Sequence, residues 1–230
     1  MSTVPARPYR GRSAEERRTE RRERLIEAAL EVVAEKGWHN TTVRDVCSRA
    51  KLTERYFYEA FGDRQGVLLA LFDHVSQEVA GMLLAAVADA PKDDAAESAR
   101  AAISAFVDAL ADDPRRMRIL ITEAPDDTEL QARRQAAVLA FAHLVRDQAA
   151  DFYGVSGRGK KDAELTSHVL VGGLGQLLMA WHLGDVKVSR TRLIEHVTKL
   201  FVAVAPVRSG GRESLPTARG PVGPNGSSSA

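Results

Sequence analysis

Cysteine occurs once in the 230 residues, at Cys47, so no disulfide can form within the chain. There is no H-E-x-x-H, no G-x-S-x-G turn and no pair of cysteines, and the six histidines are scattered. The sequence therefore supports neither catalysis nor a metal site, and no cofactor is expected. Apolar runs stay far below the roughly 20 residues that cross a bilayer, and the arginine-rich N-terminus has no apolar stretch of the kind that directs secretion. These absences predict a cytoplasmic protein with no membrane partner. No convincing β-strand stands out anywhere, which points to an all-α fold.

What is present is ample apolar content, 44% of residues, and a charge that is balanced overall but uneven. The net charge is +1, yet residues 1–24 hold eight arginines against four glutamates, a net of +4. Such an end suits phosphate as a partner, although mixed Arg/Glu runs are also ordinary solvated helix faces. A first helix is predicted from Ser13 or Ala14 to just before Gly37, burying Leu25, Ala28, Ala29, Val32 and Val33.

The most informative stretch runs from Thr42 to Phe61. Val43, Val46, Cys47 and Ala50 recur at the spacing of one helix face, and Thr42 with Asp45 three residues on forms a capping box, so a helix starts at Val43. In this position Cys47 reads as a small buried residue rather than a redox sensor. Lys51 and Leu52 break the pattern, and Thr53 is placed to cap a second helix with Phe57 and Phe61 inward. Two short helices across a tight turn can set the second one in a DNA major groove, where Glu54, Arg55, Tyr56 and Glu59 face outward.

From about Arg21 to Leu68 the chain resembles the tetracycline-repressor (TetR) family of bacterial transcription regulators. The resemblance is carried by a helix ending at Gly37, then Thr41-Thr42-Val43-Arg44-Asp45-Val46, Leu52-Thr53, Phe57-Tyr58, Phe61 and a basic residue at Arg64. Lys51 stands where the family usually has glycine, and Arg55 where it often does. The resemblance implies that Thr42, Tyr58 and Arg64 contact phosphates, that Arg44, Thr53, Arg55 and Tyr56 face the groove, and that Trp38 and His39 lie near the DNA backbone, although Trp38 reads equally well as plain core.

Beyond the motif, periodicity predicts a long connecting helix from Arg64 to Ala88 and another from Ala95 to Ala111. Asp112-Asp113-Pro114 then stops one helix and starts a short one up to Ala124-Pro125, and a further helix follows from Thr128 to Tyr153. Residues 154–161, GVSGRGKK, match most of a phosphate-binding loop but carry Lys161 where Ser or Thr would hold magnesium, and they follow a helix rather than a strand. They read as a flexible basic loop. The helix from Ala163 to Leu183 is apolar nearly all round and contains Gly172, Gly173 and Gly175. Glycines there cost about 1 kcal/mol each, so the close approach of another helix or of a ligand is expected. A last helix runs from Ser189 to Ala205.

The expected organisation is a basic, partly disordered arm (1–20), a three-helix helix-turn-helix DNA-binding domain (21–66), a helical ligand-binding and dimerisation domain (67–205), and a Gly/Pro/Ser-rich disordered tail (206–230). The final two helices offer apolar surface for a homodimer, as the resemblance also implies. It implies too a cavity among the middle helices, expected to draw on Phe106, Leu110, Met117, Ile121, Phe141, Leu144, His168, Gln176 and Met179. That makeup suits a mostly hydrophobic small-molecule inducer oriented by a few polar groups. The function these readings support is a ligand-responsive regulator, a repressor that binds an inverted-repeat operator as a dimer. An architectural DNA-binding module would need no cavity, and an all-helical enzyme or carrier would tolerate loss of Tyr56, Tyr58 and Arg64.

Overall fold

A computed structural model describes residues 13–153 and 158–204, and no β-strand occurs among them. Helix α1 (Ala14–Lys36) starts at a capping box, in which the Ser13 hydroxyl accepts from the N–H of Glu16 at 3.0 Å and the Ser13 N–H donates to the Glu16 carboxylate at 2.6 Å. Two orphan donors are thus satisfied at once, which is what lets a charge-rich N-terminal segment hold a helix. Gly37, with φ of 80°, ends α1 and turns the chain into a 3-10 turn at Trp38–Asn40. The second capping box, Thr42 with Asp45, opens α2 (Val43–Ala50) as its sequence predicts. Lys51 takes the left-handed conformation (φ 52°, ψ 45°) where glycine would be free of strain, at a cost of about 1 kcal/mol. Helix α3 (Glu54–Phe61) follows, with Thr53 at its N-cap position making no side-chain capping bond. The expectation that Thr53 caps this helix is therefore corrected.

Asp63 caps α4 (Arg64–Asp89), accepting from the N–H of Gly66 at 2.7 Å. Then come α5 (Ala95–Asp112), α6 (Pro114–Met117) continued by a π-helical turn at Arg118–Thr122, α7 (Thr128–Tyr153), α8 (Arg158–Leu183) and α9 (Arg190–Ala203). Helix α4 packs on α5, α7 on α8 and α5 on α9. By length and composition alone α4 could cross a membrane, which the short uninterrupted apolar runs do not suggest. Its apolar residues instead serve two cores: Val67, Leu68, Leu71, Phe72 and Val75 face the first, Val79 and Leu83 the second.

The first core joins Leu25, Ala29 and Val33 of α1 to Val46, Cys47 and Phe57, and is completed by Ile119, Ala124 and Leu130 from far along the chain. The helix-turn-helix head is thus built onto the helices that follow it. The second core gathers Ile103, Val107, Leu110, Met117, Leu178, Leu193 and Val197.

Two expectations change here. The basic loop expected at 154–161 is helical from Arg158 onward, and residues 154–157 lie outside the described residues, as do the first twelve residues and the tail from 205. At Gly172, Gly173 and Gly175 an added Cβ would meet nothing within 4 Å. No other described part of this chain approaches the glycine face of α8.

Candidate nucleic-acid interface and ligand cavity

Helix α3 is anchored by one fully buried ring, Phe57, with Phe61 tilted against it at 5.4 Å between centroids. That anchoring leaves the opposite side of α3 outward, where Arg55, Tyr58 and Glu59 are exposed and Tyr56 is partly so. Arg55 pairs with Glu59 at 2.8 Å. His39, Arg44 and Thr53 are also exposed, and because Thr53 makes no capping bond its hydroxyl oxygen is not committed to α3. The arginines of α1 reach the same motif: Arg21 lies 4.4 Å over the Tyr56 ring, Arg22 5.5 Å from the Phe61 ring, and Arg24 donates to the Ala50 carbonyl at 2.6 Å.

Two residues expected to meet phosphates are otherwise engaged. The Thr42 hydroxyl and N–H both donate to the Asp45 carboxylate, which also pairs with Lys36. These partners, Lys36 first and then Thr42, hold the Asp45 carboxyl well below the usual carboxylate range. Arg64 is half-buried: its Nε donates to the Thr41 carbonyl at 2.8 Å, an Nη donates to the Trp38 carbonyl, and the guanidinium stacks 4.0 Å from the Trp38 ring. A side chain so held fixes the loop into α2; it does not project as a free phosphate donor. Trp38 itself is buried beneath it.

Several important residues carry no local sequence signal. Glu123, 8% exposed, accepts from the Trp38 N–H at 2.7 Å and from Arg118 Nε. Arg118 in turn donates to the Ala34 carbonyl near the end of α1 at 2.9 Å. Arg134 of α7 donates to the carbonyls of Leu120, Ile119 and Glu123, closing the C-terminal end of the π-turn. A Cβ on Gly66 would sit 2.1 Å from the Phe61 carbonyl oxygen, so only glycine lets the first turn of α4 close against the end of α3. The Glu123–Trp38 and Arg118–Ala34 bonds span more than eighty residues, which spacing rules cannot see.

The cavity has a volume of about 380 Å³ and lies between the far ends of the helices. Its walls include Leu83, Leu84 and Val87 of α4, Ala99, Ala102 and Ile103 of α5, Phe141, Leu144 and Val145 of α7, Thr166 and Leu170 of α8, and Phe201 of α9. Of the residues expected to line it, Phe141 and Leu144 do. Leu110 and Met117 are instead fully packed into the second core, against which Phe106 and Ile121 also lie. His168, Gln176 and Met179 are likewise not in the wall. Gln176 is exposed, and His168 places its Nδ1 2.7 Å from the Glu164 carbonyl and its ring edge-on to His143. Helices α5, α7 and α8 supply wall residues, but α6 and the π-turn do not, because Met117 is packed into the second core; α4 and α9 supply the rest of the wall. Two polar wall residues are already satisfied: Ser98 donates to the Pro91 carbonyl and Ser167 to that of Glu164. Arg146 and Asp162 are the charged groups in the lining.

Leu84 is twenty residues along α4 from Arg64, about 30 Å at 1.5 Å per residue. Helix α7 spans the same gap, with Leu130 in the head's core and Asp127 just before it accepting from Gln65 at 2.9 Å, while its Phe141, Leu144 and Val145 line the cavity.

Residues 25–71 match the family model for bacterial regulatory proteins of the tetR family. The chain is 24% identical over 184 residues to the fatty acid metabolism regulator protein of Bacillus subtilis (strain 168), covering 78% of this chain and 92% of that one. It is 32% identical over 122 residues to the HTH-type transcriptional activator FasR of Mycolicibacterium smegmatis, covering 53% of this chain and 54% of that one. Among solved structures, the transcriptional regulator FadR from Bacillus subtilis in complex with stearoyl-CoA has the same fold, with a TM-score of 0.66, 20% identity, and coverage of 79% of this chain and 98% of that one.

Proposed function

Because the chain belongs to the tetR family of bacterial regulatory proteins, we propose that it is a cytoplasmic repressor that binds an inverted-repeat operator as a homodimer and is released by an apolar, chain-like ligand. The observation that carries this reading is the pairing of an outward-facing α3 with an apolar cavity between the helices, joined by α4 and α7. An architectural module needs the first and not the second.

On the DNA side, Arg44, Arg55 and Tyr56 are the residues proposed to read bases, and His39, Thr53 and Tyr58 those proposed to meet phosphate or the groove wall. Thr42 and Arg64 act one step back, by shaping the loop and α2. On the ligand side, a cavity of about 380 Å³ with mostly apolar walls suits a hydrocarbon chain. A long-chain acyl thioester is the proposed class, since the Bacillus subtilis FadR structure holds stearoyl-CoA. Ligand acts by favouring an arrangement of the two heads that no longer fits the operator, and its influence reaches them through α4 and α7. FasR is described as an activator, but a dimer seated over a promoter represses by occupancy alone.

Dimerisation rests on the outer faces of α8 and α9. Leu165 and Val169 are 68% and 73% exposed, Leu183 and Leu200 are exposed too, and the three glycines of α8 leave room for a partner helix to approach. A two-fold pair sets the recognition helices about 34 to 36 Å apart, one turn of DNA. Footprinting on DNA flanking the protein's own gene tests the reading. It should show a protected inverted repeat, and Val169→Glu should yield a monomer with weakened protection. A monomeric wild type that binds DNA at full affinity would refute the dimer.

A further inference from the structure

We infer that Arg55 and Glu59 form a preset reader of guanine, so that each half of the operator carries a G·C pair beneath the middle of α3. This rests on the DNA-binding reading above and adds to it the base that is read and the residue that aims the arginine.

Helix periodicity puts these two residues on the outermost ridge. Each residue advances about 100° around the axis, so Arg55 and Glu59 lie about 160° to either side of the buried Phe57 and flank the line directly opposite the core. Whatever enters a groove deepest with α3 is this ridge. The arginine side chain is 82% exposed and the glutamate 41%, so the carboxylate is the seated partner and the guanidinium the projecting one. Arg55 Nε donates to Glu59 Oε1 at 2.8 Å, and among the described residues its two terminal nitrogens make no hydrogen bond.

A guanidinium held through Nε offers its terminal N–H groups as a parallel pair. In the major groove guanine presents two acceptors side by side, N7 and O6, which match that pair. Adenine replaces O6 with an amino donor, thymine offers the single acceptor O4, and cytosine offers only an amino donor. The carboxylate also offsets the cation, so that the arginine is less drawn to the nearest phosphate, a contact that carries no sequence information. Helix stability is the weaker reason for the pair in this order. For i,i+4 pairs the acidic residue is better placed N-terminal to the basic one, and here the order is reversed.

The test is selection of duplexes from a randomised library by the full-length chain, followed by affinities on the selected duplex and its single-base variants. The wild type should enrich a guanine at one position of each half-site, and replacing it with another base or with 7-deazaguanine should weaken binding about ten- to a hundredfold. Arg55→Ala should lose the preference at that position alone. Glu59→Ala should flatten the same preference, while Glu59→Gln, whose amide oxygen still accepts from Nε, should retain it. A Glu59 that merely supports the helix would instead weaken all sequences equally under Glu59→Ala, and that result would overturn the inference. So would an Arg55→Ala protein that still selects the same guanine. A wild type that enriches no sequence would overturn the DNA-binding function itself, and this inference with it.

Discussion

Glu123 is the residue whose removal should be felt most widely, because it satisfies a buried N–H of the head from the other half of the molecule. Glu123→Ala leaves the Trp38 N–H without its acceptor and Arg118 without its carboxylate. An orphaned buried donor costs about 1–3 kcal/mol. Arg118 is 37% exposed, so its ion pair is screened and adds only about 0.5–1 kcal/mol. The total of about 1.5–4 kcal/mol corresponds to a fall in melting temperature of roughly 3–16 °C for a chain of this size. Glu123→Gln keeps one acceptor oxygen for Trp38 but turns its NH2 toward Arg118, losing that half-exposed ion pair, so it should fall by only about 0.5–1 kcal/mol. Thermal unfolding followed by circular dichroism separates the two. If the alanine variant melts within a degree of wild type, or the glutamine variant falls as far as the alanine, the hydrogen bond does not hold the head as argued.

Gly66→Ala should weaken DNA binding and lower stability together, since a Cβ there would meet the Phe61 carbonyl at 2.1 Å and must displace the end of α3; operator affinity and a thermal melt check it. Ala102→Phe, inside the cavity wall, should abolish the response to ligand while DNA binding remains; gel-shift titrations with and without long-chain acyl-CoA check it. The Asp45 carboxyl lies well below its ordinary value because of Lys36 and Thr42, so its stabilising effect is present above about pH 3.9 and fades as pH falls toward the folded value. The melting deficit of Asp45→Asn should therefore hold from pH 7 to 5 and shrink progressively below about pH 4, and a deficit as large at pH 2.5 as at pH 7 would show that ionisation is not its origin.

The parts of this molecule that were legible in the sequence are those whose cause lies within a few residues. Thr42 and Asp45 are three apart and close the box that starts α2, the spacing of Phe57 and Phe61 fixes which side of α3 turns inward, and Asp112-Asp113-Pro114 marks a helix stop and start. Arg64 shows the limit. Its place after α3 is plain in the sequence, but that its guanidinium would be held by Trp38 and Thr41, more than twenty residues earlier, depends on how the loop folds back. The cavity was misplaced for a related reason. Apolar spacing gives the inward face of each helix but not its height against its neighbours, so Leu110 and Met117 look the same in sequence as Leu144 and Val145, yet one pair fills a core and the other lines an open space. Glu123, buried at 8% exposure, reads in sequence as one more surface acid.

The central claim is that the cavity and α3 are thermodynamically coupled. Its most direct test is the affinity of the purified full-length chain for its own upstream DNA, measured by fluorescence anisotropy against increasing stearoyl-CoA, with Ala102→Phe in parallel. A ligand that prefers the non-binding arrangement by about 3 kcal/mol lowers operator affinity about a hundredfold, and Ala102→Phe should be insensitive to it. An operator affinity unchanged at saturating stearoyl-CoA, with binding of that ligand in the cavity shown independently, would contradict the account.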